Sequence, residues 1–524
     1  MSDDIAHECG IAALYFLNDS SKSLENQNDE INFDTHNVVE LMPQILLDLQ
    51  NRGQLAAGIS SFMPSREQVL KVYKDIGTVQ EVFFSSNEKK YQRIINDYSG
   101  IAALGHTRYS TSGQDDARYA QPFERSHGRL WKWFTFAFNG NLANFTKLRD
   151  DLKNNKNYHF SLNNDTELIM YMLAHCLNKS DTIPSLCDIM KSLSQQFDGA
   201  YNLVFLDAMG RMFISRDPLG LRPMNWAVQG NLFGAASESS ALIRLGFENV
   251  NSLEPGQMAI IEDGKLRFEY FSNEAKRARC FFEWIYFSNI SSIIDSRSVY
   301  LSRAKLGQRL AESEDQKMDE DCIAVPVPDT ASTAAYAYAY HMRIRPVEGI
   351  IRNRYVGRTF IQSNSARSKA VKSKYTPLPY VLKGKRVFLI EDSIVRATTL
   401  LSLVNQLKVI GGAKEVHVRV ACPPIISPCF YGIDMSTFNE LFAPNFITEN
   451  YNDRLNDDIL SAMASSLNVD SLKYASFNDI SIALDTKLDS LCTACISCKY
   501  PTEYGEKLRA LAAGKVSENK RTYE

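Results

Sequence analysis

Residues 387–399 constrain the fold of this 524-residue chain most strongly, with the sequence V-F-L-I-E-D-S-I-V-R-A-T-T. Four apolar residues end in two carboxylates, Glu391 and Asp392, and a hydroxyl-rich run then leads into apolar-periodic residues 400–407. This order predicts a buried strand, an acidic strand end, a short loop and a helix N-terminus. Such a helix start binds anions, and paired carboxylates suit sugar hydroxyls or Mg²⁺. A phosphorylated ribose with a bound metal fits every part, and the alternative is a surface loop with solvated side chains.

The stretch resembles the phosphoribosyl pyrophosphate (PRPP) signature of type I phosphoribosyltransferases. The resemblance implies that Glu391 and Asp392 bind ribose hydroxyls and Mg²⁺, with Thr330 as a third metal contact. It also implies a 5-phosphate loop that consists of Ser393, Arg396, Ala397, Thr398 and Thr399. A second segment, R-N-R-Y-V-G-R-T-F at Arg352–Phe360, resembles the loop that folds over PRPP, with Arg358 as a substrate contact.

The chain departs from that signature at three positions. Glu391 stands where the family usually has Asp, Ala397 where it has Gly, and Thr330 where it has Ser. A longer carboxylate is shifted relative to a metal that demands strict geometry, and Ala costs roughly 1 kcal/mol or more if position 397 needs a positive φ. Weakened PRPP binding is therefore one open expectation.

Composition bounds the remaining classes. A chain of this length needs two or three domains, and 44% hydrophobic and 23% charged residues are ordinary for a globular protein. A net charge of −3 gives no reason to expect nucleic acid, and no apolar run is long enough for a membrane span. The acidic N-terminus lacks the apolar region of a secretory signal. These features favour a cytoplasmic protein.

The pattern of predicted elements divides the chain near residues 274–279. Before this stretch, short β-prone runs alternate with few helices, which predicts sheets packed in layers. Predicted strands there include 9–16, 100–106, 134–138, 201–206 and 211–215, and a helix is predicted over 165–176 with Asp165 or Thr166 near its N-cap. After residue 280, strands alternate with helices, which predicts a parallel sheet with crossover helices.

Several motifs of the first half follow one another in a characteristic order. They are C-G-I at Cys9, N-R-G-Q at Asn51–Gln54, G-H-T-R-Y-S-T-S-G at Gly105–Gly113, F-N-G-N-L at Phe138–Leu142, N-N-D-T-E at Asn163–Glu167 and R-D-P-L-G-L-R-P at Arg216–Pro223. Together they resemble the glutaminase domain of class II glutamine amidotransferases, which are N-terminal-nucleophile hydrolases with a four-layer αββα fold.

That resemblance implies a complete amide-splitting site. Splitting a carboxamide needs a nucleophile, a base and oxyanion donors. The family pattern implies that Met1–Glu8 is a propeptide, that Cys9 is the nucleophile with its own α-amine as base, and that Asn139 and Gly140 form the oxyanion hole. Arg108 and Asp165 match the residues that hold glutamine, and Arg52 matches an arginine near the nucleophile. Asn51 stands where the family usually has His, and Leu55 where it usually has an acid.

Ten cysteines in so long a chain are not a disulfide framework. The C-x-x-C-x-x-C run at Cys492, Cys495 and Cys498 alone fits zinc, redox chemistry or an iron–sulfur cluster with one distant thiol. Resemblance to iron–sulfur PRPP amidotransferases instead implies a [4Fe–4S] ligand set of Cys280, Cys429, Cys492 and Cys495. A structural Cys₄ zinc site is the rival.

The whole pattern resembles the amidophosphoribosyltransferase family. It implies domains at 9–270 (glutaminase), 271–470 (phosphoribosyltransferase) and 471–524 (a helical segment with cluster cysteines), after a propeptide at 1–8. It also implies glutamine, PRPP, Mg²⁺ and purine nucleotide inhibitors as small-molecule partners, ammonia channelling, purine biosynthesis and a homotetramer. One alternative is a paralogue with weak transferase activity that hydrolyses glutamine, amidates another acceptor or regulates a partner. Another alternative is an oxygen- or iron-sensing protein.

Overall fold

A computed structural model of the chain describes residues 9–18, 37–109, 116–179, 181–353, 375–433, 435, 437–447, 451 and 453–514. The statements below concern these residues. Met1–Glu8 and Arg358 lie outside them, so the propeptide prediction and the PRPP contact predicted for Arg358 are not addressed by the structure.

Two antiparallel sheets form the first half of the chain. Their strands are β1 (Gly10–Phe16), β2 (Ala56–Phe62), β3 (Leu70–Ile76), β4 (Ala102–Arg108), β5 (Phe123–Arg125), β6 (Phe134–Leu142), β7 (Gly199–Asp207), β8 (Met212–Ser215), β9 (Asn225–Gln229), β10 (Leu232–Ala236), β11 (Asn251–Ser252), β12 (Gln257–Glu262) and β13 (Lys265–Tyr270). Among the described strands, one sheet has the order β11-β9-β10-β1-β4-β2-β3 and the other has the order β13-β12-β8-β7-β6-β5.

Helices cover the outer faces of both sheets. They are α1 (Met42–Asp48), α2 (Val79–Val82), α3 (Glu88–Asp97), α4 (Phe145–Lys156), α5 (Asp165–Asn178), α6 (Leu186–Ser194) and α7 (Ser239–Arg244). Short 3₁₀ helices add Val38–Glu40, Ala117–Tyr119 and Leu130–Lys132.

Apolar side chains at alternate strand positions form three separate buried cores in this half. The core between the two sheets includes Ile11, Leu104, Val204 and Ile261. One outer core joins the first sheet to α1, α2 and α7, and the other joins the second sheet to α4, α5 and α6. Because a sheet with two apolar faces needs a layer on each side, the result is the expected four-layer αββα arrangement.

The second half of the chain combines strands and helices and contains a five-stranded parallel sheet. Its elements are β14 (Arg279–Cys280), β15 (Ile293–Ile294), β16 (Arg297–Ser298), α8 (Val299–Glu312), β17 (Cys322–Pro326), α9 (Ser332–Met342), β18 (Arg345–Pro346), β19 (Ile350–Arg352), β20 (Tyr375–Pro377), α10 (Pro379–Leu382), β21 (Arg386–Glu391), α11 (Thr398–Val409), β22 (Glu415–Val420), α12 (Asp457–Ser466) and β23 (Ser471–Tyr474). The described strands have the order β18-β17-β21-β22-β23. Helices α9, α11 and α12 pack against this sheet, as the predicted strand–helix alternation requires.

The chain closes with α13 (Phe477–Ala483), β24 (Leu491–Cys492), α14 (Ala494–Ser497) and α15 (Glu503–Gly514). A π-helical turn covers Glu283–Phe287, and 3₁₀ turns cover Phe438–Glu440, Ala443–Asn445 and Leu488–Ser490. Strand β24 pairs in parallel with β14, so that Cys280 and Cys492 are register partners. The backbone N–H of Tyr504 donates to Asp198 at 3.0 Å. The C-terminal segment therefore contacts both halves.

Most predicted elements are confirmed within a few residues, and Asp165 lies next to the N-cap of α5, as predicted. The cap of α5 is Asn164, whose side chain accepts from the backbone N–H of Glu167 at 2.8 Å. Asp165 instead opens the helix. Asn is as strong a capping residue as Asp, and the N-N-D-T-E sequence offered several candidates. In the described part of the chain, no helix combines the length and apolarity needed to cross a bilayer.

Candidate functional site

A cavity of about 480 Å³ surrounds Cys9. Five of the residues predicted for amide chemistry line it together, namely Cys9, Arg108, Asn139, Gly140 and Asp165. They come from the start of β1, the end of β4, the end of β6 and the start of α5. Because the two sheets stack face to face, residues far apart in the sequence meet at one edge of the sandwich.

Asn139 and Gly140 are the predicted oxyanion-hole residues, and position 140 requires glycine. Gly140 has φ of +153°, and a Cβ atom there would lie 2.0 Å from the carbonyl oxygen of Ala200 on the paired strand β7. The side chain of Asn139 is buried and its amide donates to the Ser237 hydroxyl at 3.4 Å, a long contact. The pair thus offers one side-chain amide and a backbone N–H beside the cavity.

Burial and charge set the protonation states around Cys9. Its thiol lies 3.8 Å from the carbonyl oxygen of Tyr109, and desolvation raises the thiol pKa despite that contact and the charge of Arg108. Desolvation also raises the pKa of Asp165 to about 6, although backbone N–H groups of Thr166 and Leu142 oppose the shift. A cation such as the α-ammonium group of an amino acid would favour the ionised form of Asp165.

Arg52, for which the resemblance implied a place near the nucleophile, is held by buried ion pairs. It does not line the described Cys9 cavity, and it is 1% exposed within a buried ion-pair network. Its Nε donates to Glu238 at 2.8 Å and its Nη2 to Glu283 at 2.7 Å. Burial alone would lower the pKa of Arg52, but the two carboxylates outweigh it and hold the pKa above its ordinary value.

A second cavity, of about 460 Å³, opens at the carboxyl ends of the parallel strands. The predicted residues that line it are Thr330, Glu391, Asp392, Ser393, Arg396, Ala397 and Thr399. Thr398, the first residue of α11, is not among the lining residues. Strand ends of this kind are the usual ligand position in parallel α/β sheets.

Hydrogen bonds preorganise the acidic end of β21. The Thr330 hydroxyl donates to the Asp392 carboxylate, and the Ser393 hydroxyl donates to its other oxygen at 2.8 Å. Arg303 also lines the cavity, and burial lowers its pKa to about 10 although the charge of Asp392 opposes that shift. The cavity thus combines carboxylates, hydroxyls and a buried cation, a set that suits a phosphorylated sugar.

The backbone of Ala397, in the loop before α11, has the positive φ that the sequence analysis considered for this position. Ala397 is the N-cap of α11 with φ of 65° and ψ of −9°, in the left-handed region. An alanine Cβ is disfavoured there, whereas glycine is not. The departure from Gly at position 397 therefore has a local energetic cost.

Replacing Ala397 with glycine is expected to stabilise the protein by about 1 kcal/mol, because the strain at positive φ exceeds the extra entropy of glycine in the unfolded chain. The measurement is chemical denaturation of both proteins under identical conditions. Ala337→Gly, within α9, is the matched control and should destabilise by about 1 kcal/mol. Equal destabilisation by both substitutions would contradict the strain.

Four buried thiols meet where the C-terminal segment joins the second half. They belong to Cys280, Cys429, Cys492 and Cys495. Burial raises the pKa of Cys280 to about 12, with a further contribution from Cys429. All ten cysteines are free, and the described residues contain no group of three or more His, Cys, Asp or Glu side chains arranged to hold a metal ion. The thiols are thus neighbours without ligand geometry.

One short turn connects the linings of the two cavities. Gly53 packs on the backbone of Arg108, because a Cβ at residue 53 would lie 2.4 Å from its carbonyl carbon. Two residues earlier, Asn51 lines the cavity at the parallel sheet. Residues 51–53, called here the dividing turn, therefore line one cavity through Asn51 and pack against a lining residue of the other through Gly53.

Sequence reasoning gave no role to several residues that line the cavities. Arg222 and Gly432 lie in the Cys9 cavity, and Asn51 and Arg303 lie in the other. Arg222 and Asn51 belong to motifs that were recognised, R-D-P-L-G-L-R-P and N-R-G-Q, although neither motif assigned them to these cavities. Gly432 lines the cavity of the opposite half, and Arg303 lies far in the sequence from Glu391 and Asp392, which line the same cavity, so no local pattern marks these two.

Comparisons with known proteins agree with both cavities. A family model described as a glutamine amidotransferase domain matches residues 106–244. Amidophosphoribosyltransferase from Methanothermobacter thermautotrophicus is 36% identical over 460 residues, which is 87% of this chain and 90% of the relative. The Bacillus subtilis protein of that name is 36% identical over 472 residues, which is 88% and 92% of the two chains.

Solved structures give the same result. Glutamine phosphoribosylpyrophosphate amidotransferase from B. subtilis, complexed with ADP and GMP, superposes with a TM-score of 0.78 at 32% identity over 95% of this chain and 98% of that chain. A structure described as the allosteric regulatory enzyme of purine biosynthesis gives a TM-score of 0.79 at 33% identity over 95% and 97%.

Proposed function

The chain belongs to the amidophosphoribosyltransferase family, and on that premise we propose that it moves the amide nitrogen of glutamine to C1 of PRPP. The products are glutamate, pyrophosphate and 5-phosphoribosylamine, and the reaction is the first step of purine biosynthesis. The observation that carries the proposal is the presence of two cavities, each lined by one of the two required residue sets.

The Cys9 cavity supplies the glutaminase half. The Cys9 thiolate attacks the amide carbon, ammonia leaves, and water hydrolyses the resulting thioester to glutamate. Asn139 and Gly140 donate to the oxyanion, Arg108 holds the substrate carboxylate and Asp165 holds its α-ammonium group. The α-amine of Cys9 acts as base once Met1–Glu8 is removed, because an α-amine has a pKa near 8.

The second cavity supplies the transferase half. Glu391 and Asp392 bind the ribose hydroxyls, and residues 393–399 hold the 5-phosphate at the start of α11. Ammonia forms a bond to C1, the bond from C1 to the pyrophosphate oxygen breaks, and the nitrogen loses a proton. Mg²⁺ would be held by Thr330, Glu391 and Asp392, where it would neutralise charge on pyrophosphate. Arg358 contacts PRPP in this proposal.

A [4Fe–4S] cluster bound by Cys280, Cys429, Cys492 and Cys495 is part of the proposal. Two observations support it: Cys280 and Cys492 are register partners, and neighbouring thiols of this set contribute to the raised pKa values of Cys280, Cys492 and Cys495, which indicates that the thiols lie close together. A cluster binds thiolates, so its binding would displace the protons that these thiols retain. Its role would be to tie the C-terminal segment to the second half. Iron and sulfide analysis of anaerobically purified protein tests the cluster, and zinc without sulfide would favour the Cys₄ zinc alternative.

Domain bounds of 9–270, 271–470 and 471–524, cytoplasmic localisation and homotetramer formation complete the proposal. Purine nucleotides are proposed as inhibitors because the B. subtilis relative was solved with ADP and GMP. The paralogue alternative is favoured by one observation, the strained Ala397 in the phosphate loop.

One assay tests the proposed function against both alternatives. Anaerobic protein is supplied with glutamine, PRPP and Mg²⁺, and glutamate and pyrophosphate are measured together. Equal amounts of both products are expected. Glutamate without pyrophosphate would indicate the paralogue, and neither product from an iron-containing protein would indicate the sensor.

Glutamine binding is expected to weaken as the pH falls below about 6. Asp165 has a pKa of about 6 in the free protein, so its carboxylate is ionised above that pH and protonated below it. Only the ionised form attracts an ammonium group, and its fraction falls about tenfold per pH unit well below the pKa. The Kd for glutamine, measured by calorimetry on Cys9→Ala protein to prevent turnover, should rise accordingly.

Asp165→Asn is the control for this prediction. It should bind glutamine more weakly at pH 8 and show no further loss between pH 6 and pH 5. A Kd that rises equally with falling pH in both proteins would assign the pH dependence to another group.

A further inference from the structure

The amide of Asn51 in the dividing turn has a fixed orientation. Its Nδ2 lies 3.1 Å from a carboxylate oxygen of Glu238 and 3.2 Å from the carbonyl oxygen of Phe287. Both neighbours are acceptors, so the nitrogen of the amide must face them. The Oδ1 atom consequently points away from these two partners.

That oxygen is buried and lacks a hydrogen-bond partner in the described structure. Asn51 lines the transferase cavity, together with Glu391, Asp392 and Thr330. A buried polar atom without a partner costs roughly 1–3 kcal/mol, so a group that donates to it is expected during function. Asn51 therefore contributes one oriented, unsatisfied acceptor at the edge of this cavity.

The acceptor belongs to the turn that connects the linings of the two cavities. Gly53 packs against the backbone of Arg108, which lines the Cys9 cavity, while Asn51 lines the other cavity. Between them, Arg52 bonds Glu283, which also accepts from Arg222 of the Cys9 cavity at 3.5 Å. These ion-paired residues, Arg52, Glu283 and Arg222, are called here the wall. The wall fixes the position of Oδ1 relative to both sites.

We propose that Oδ1 of Asn51 accepts a hydrogen bond from ammonia as ammonia enters the transferase cavity, and so positions it for attack. The inference rests on the proposed function, because it assumes that ammonia is the nucleophile. Ammonia keeps its lone pair for the carbon when one of its N–H groups donates to Asn51. A neutral amide cannot take the proton that the new amine loses, so Asn51 is a positioning residue and not a base.

The test is Asn51→Leu, a substitution close in volume that removes the acceptor. We expect the KM for ammonium in the PRPP-dependent reaction to rise about tenfold, a change of about 1.4 kcal/mol that is typical of one lost hydrogen bond. With glutamine as donor, more glutamate than pyrophosphate should form. The glutaminase kcat/KM should stay unchanged, because Asn51 does not line the Cys9 cavity.

Two further variants separate positioning from support of the wall. Asn51→His keeps one donor and one acceptor in neutral imidazole and should hold the ammonium KM within about threefold. Asn144→Leu, the matched control, removes a buried amide whose Nδ2 donates to the carbonyl oxygen of Gln196 and whose Oδ1 accepts from the N–H of Asp198. It should lower the thermal midpoint and leave the ammonium KM unchanged. Asn51→Ala serves if Asn51→Leu does not fold.

An unchanged ammonium KM in Asn51→Leu would overturn the inference. The inference would also be overturned if the KM values for ammonium, PRPP and glutamine all rose together and the thermal midpoint fell. That pattern would indicate that Asn51 only supports the wall. If wild-type protein makes no pyrophosphate from ammonium and PRPP with Mg²⁺, the proposed function fails instead, before any variant is compared.

Discussion

Replacing Cys9 with alanine is expected to lower glutamine-dependent pyrophosphate release by at least about 10³-fold, because no other group can form the thioester. Release driven by high ammonium should persist within about twofold, since Cys9 lies in the other cavity. The measurement is pyrophosphate release at saturating PRPP with each nitrogen donor in turn.

Cys176→Ala is the matched control for the Cys9 substitution. Cys176 is a buried thiol of α5 that lines neither cavity, and its loss should leave both reactions in place. If Cys9→Ala lost the ammonium-driven reaction as well, the two-site scheme would be wrong, because the two cavities would then share one catalytic group.

Replacing Arg52 with methionine is expected to destabilise the protein by about 3–5 kcal/mol. The substitution removes the cation that lies between Glu238 and Glu283 and leaves two buried carboxylates with less compensation. Both Arg52 and Glu283 are 1% exposed, so water cannot solvate the remaining charge. The free energy of unfolding from urea titration measures the effect.

Arg129→Met gives the matched comparison at the surface. The ion pair of Arg129 with Asp181 is exposed, at 52% and 97% of the two side chains, and exposed pairs contribute about 0–1 kcal/mol. If the free energy of unfolding of Arg52→Met fell by less than about 1 kcal/mol, Arg222 and the hydroxyls of Ser288 and Ser292 would already compensate the charge of the two carboxylates.

The fold could be predicted where local sequence determines it. The apolar run that ends in Glu391 and Asp392 specified β21, its carboxyl end and the start of α11. The question about positive φ at Ala397 was also a local one, because it depends on the backbone of a single residue. The predicted change from layered sheets to a parallel sheet rests on the same periodic patterns.

Contacts between the halves could not be predicted in the same way. The ion-pair partners of Arg52 are Glu238 and Glu283, which lie 186 and 231 residues further along the chain. Ion pairs over such separations leave no periodic signal. Arg303 and Asn51 also meet the other residues of the second cavity only through long-range packing, which local patterns do not indicate.

The pairing of β14 with β24 has a consequence for how such a protein can be divided. Strand β24 lies near the end of the chain, yet its partner β14 immediately follows the first half. Fission of the gene into two separately expressed modules near residue 270 would keep this pairing within the second module, and so would keep the C-terminal segment attached to it. The contact between Tyr504 and Asp198 would then join two polypeptides, so the C-terminal segment would form part of the association interface between them.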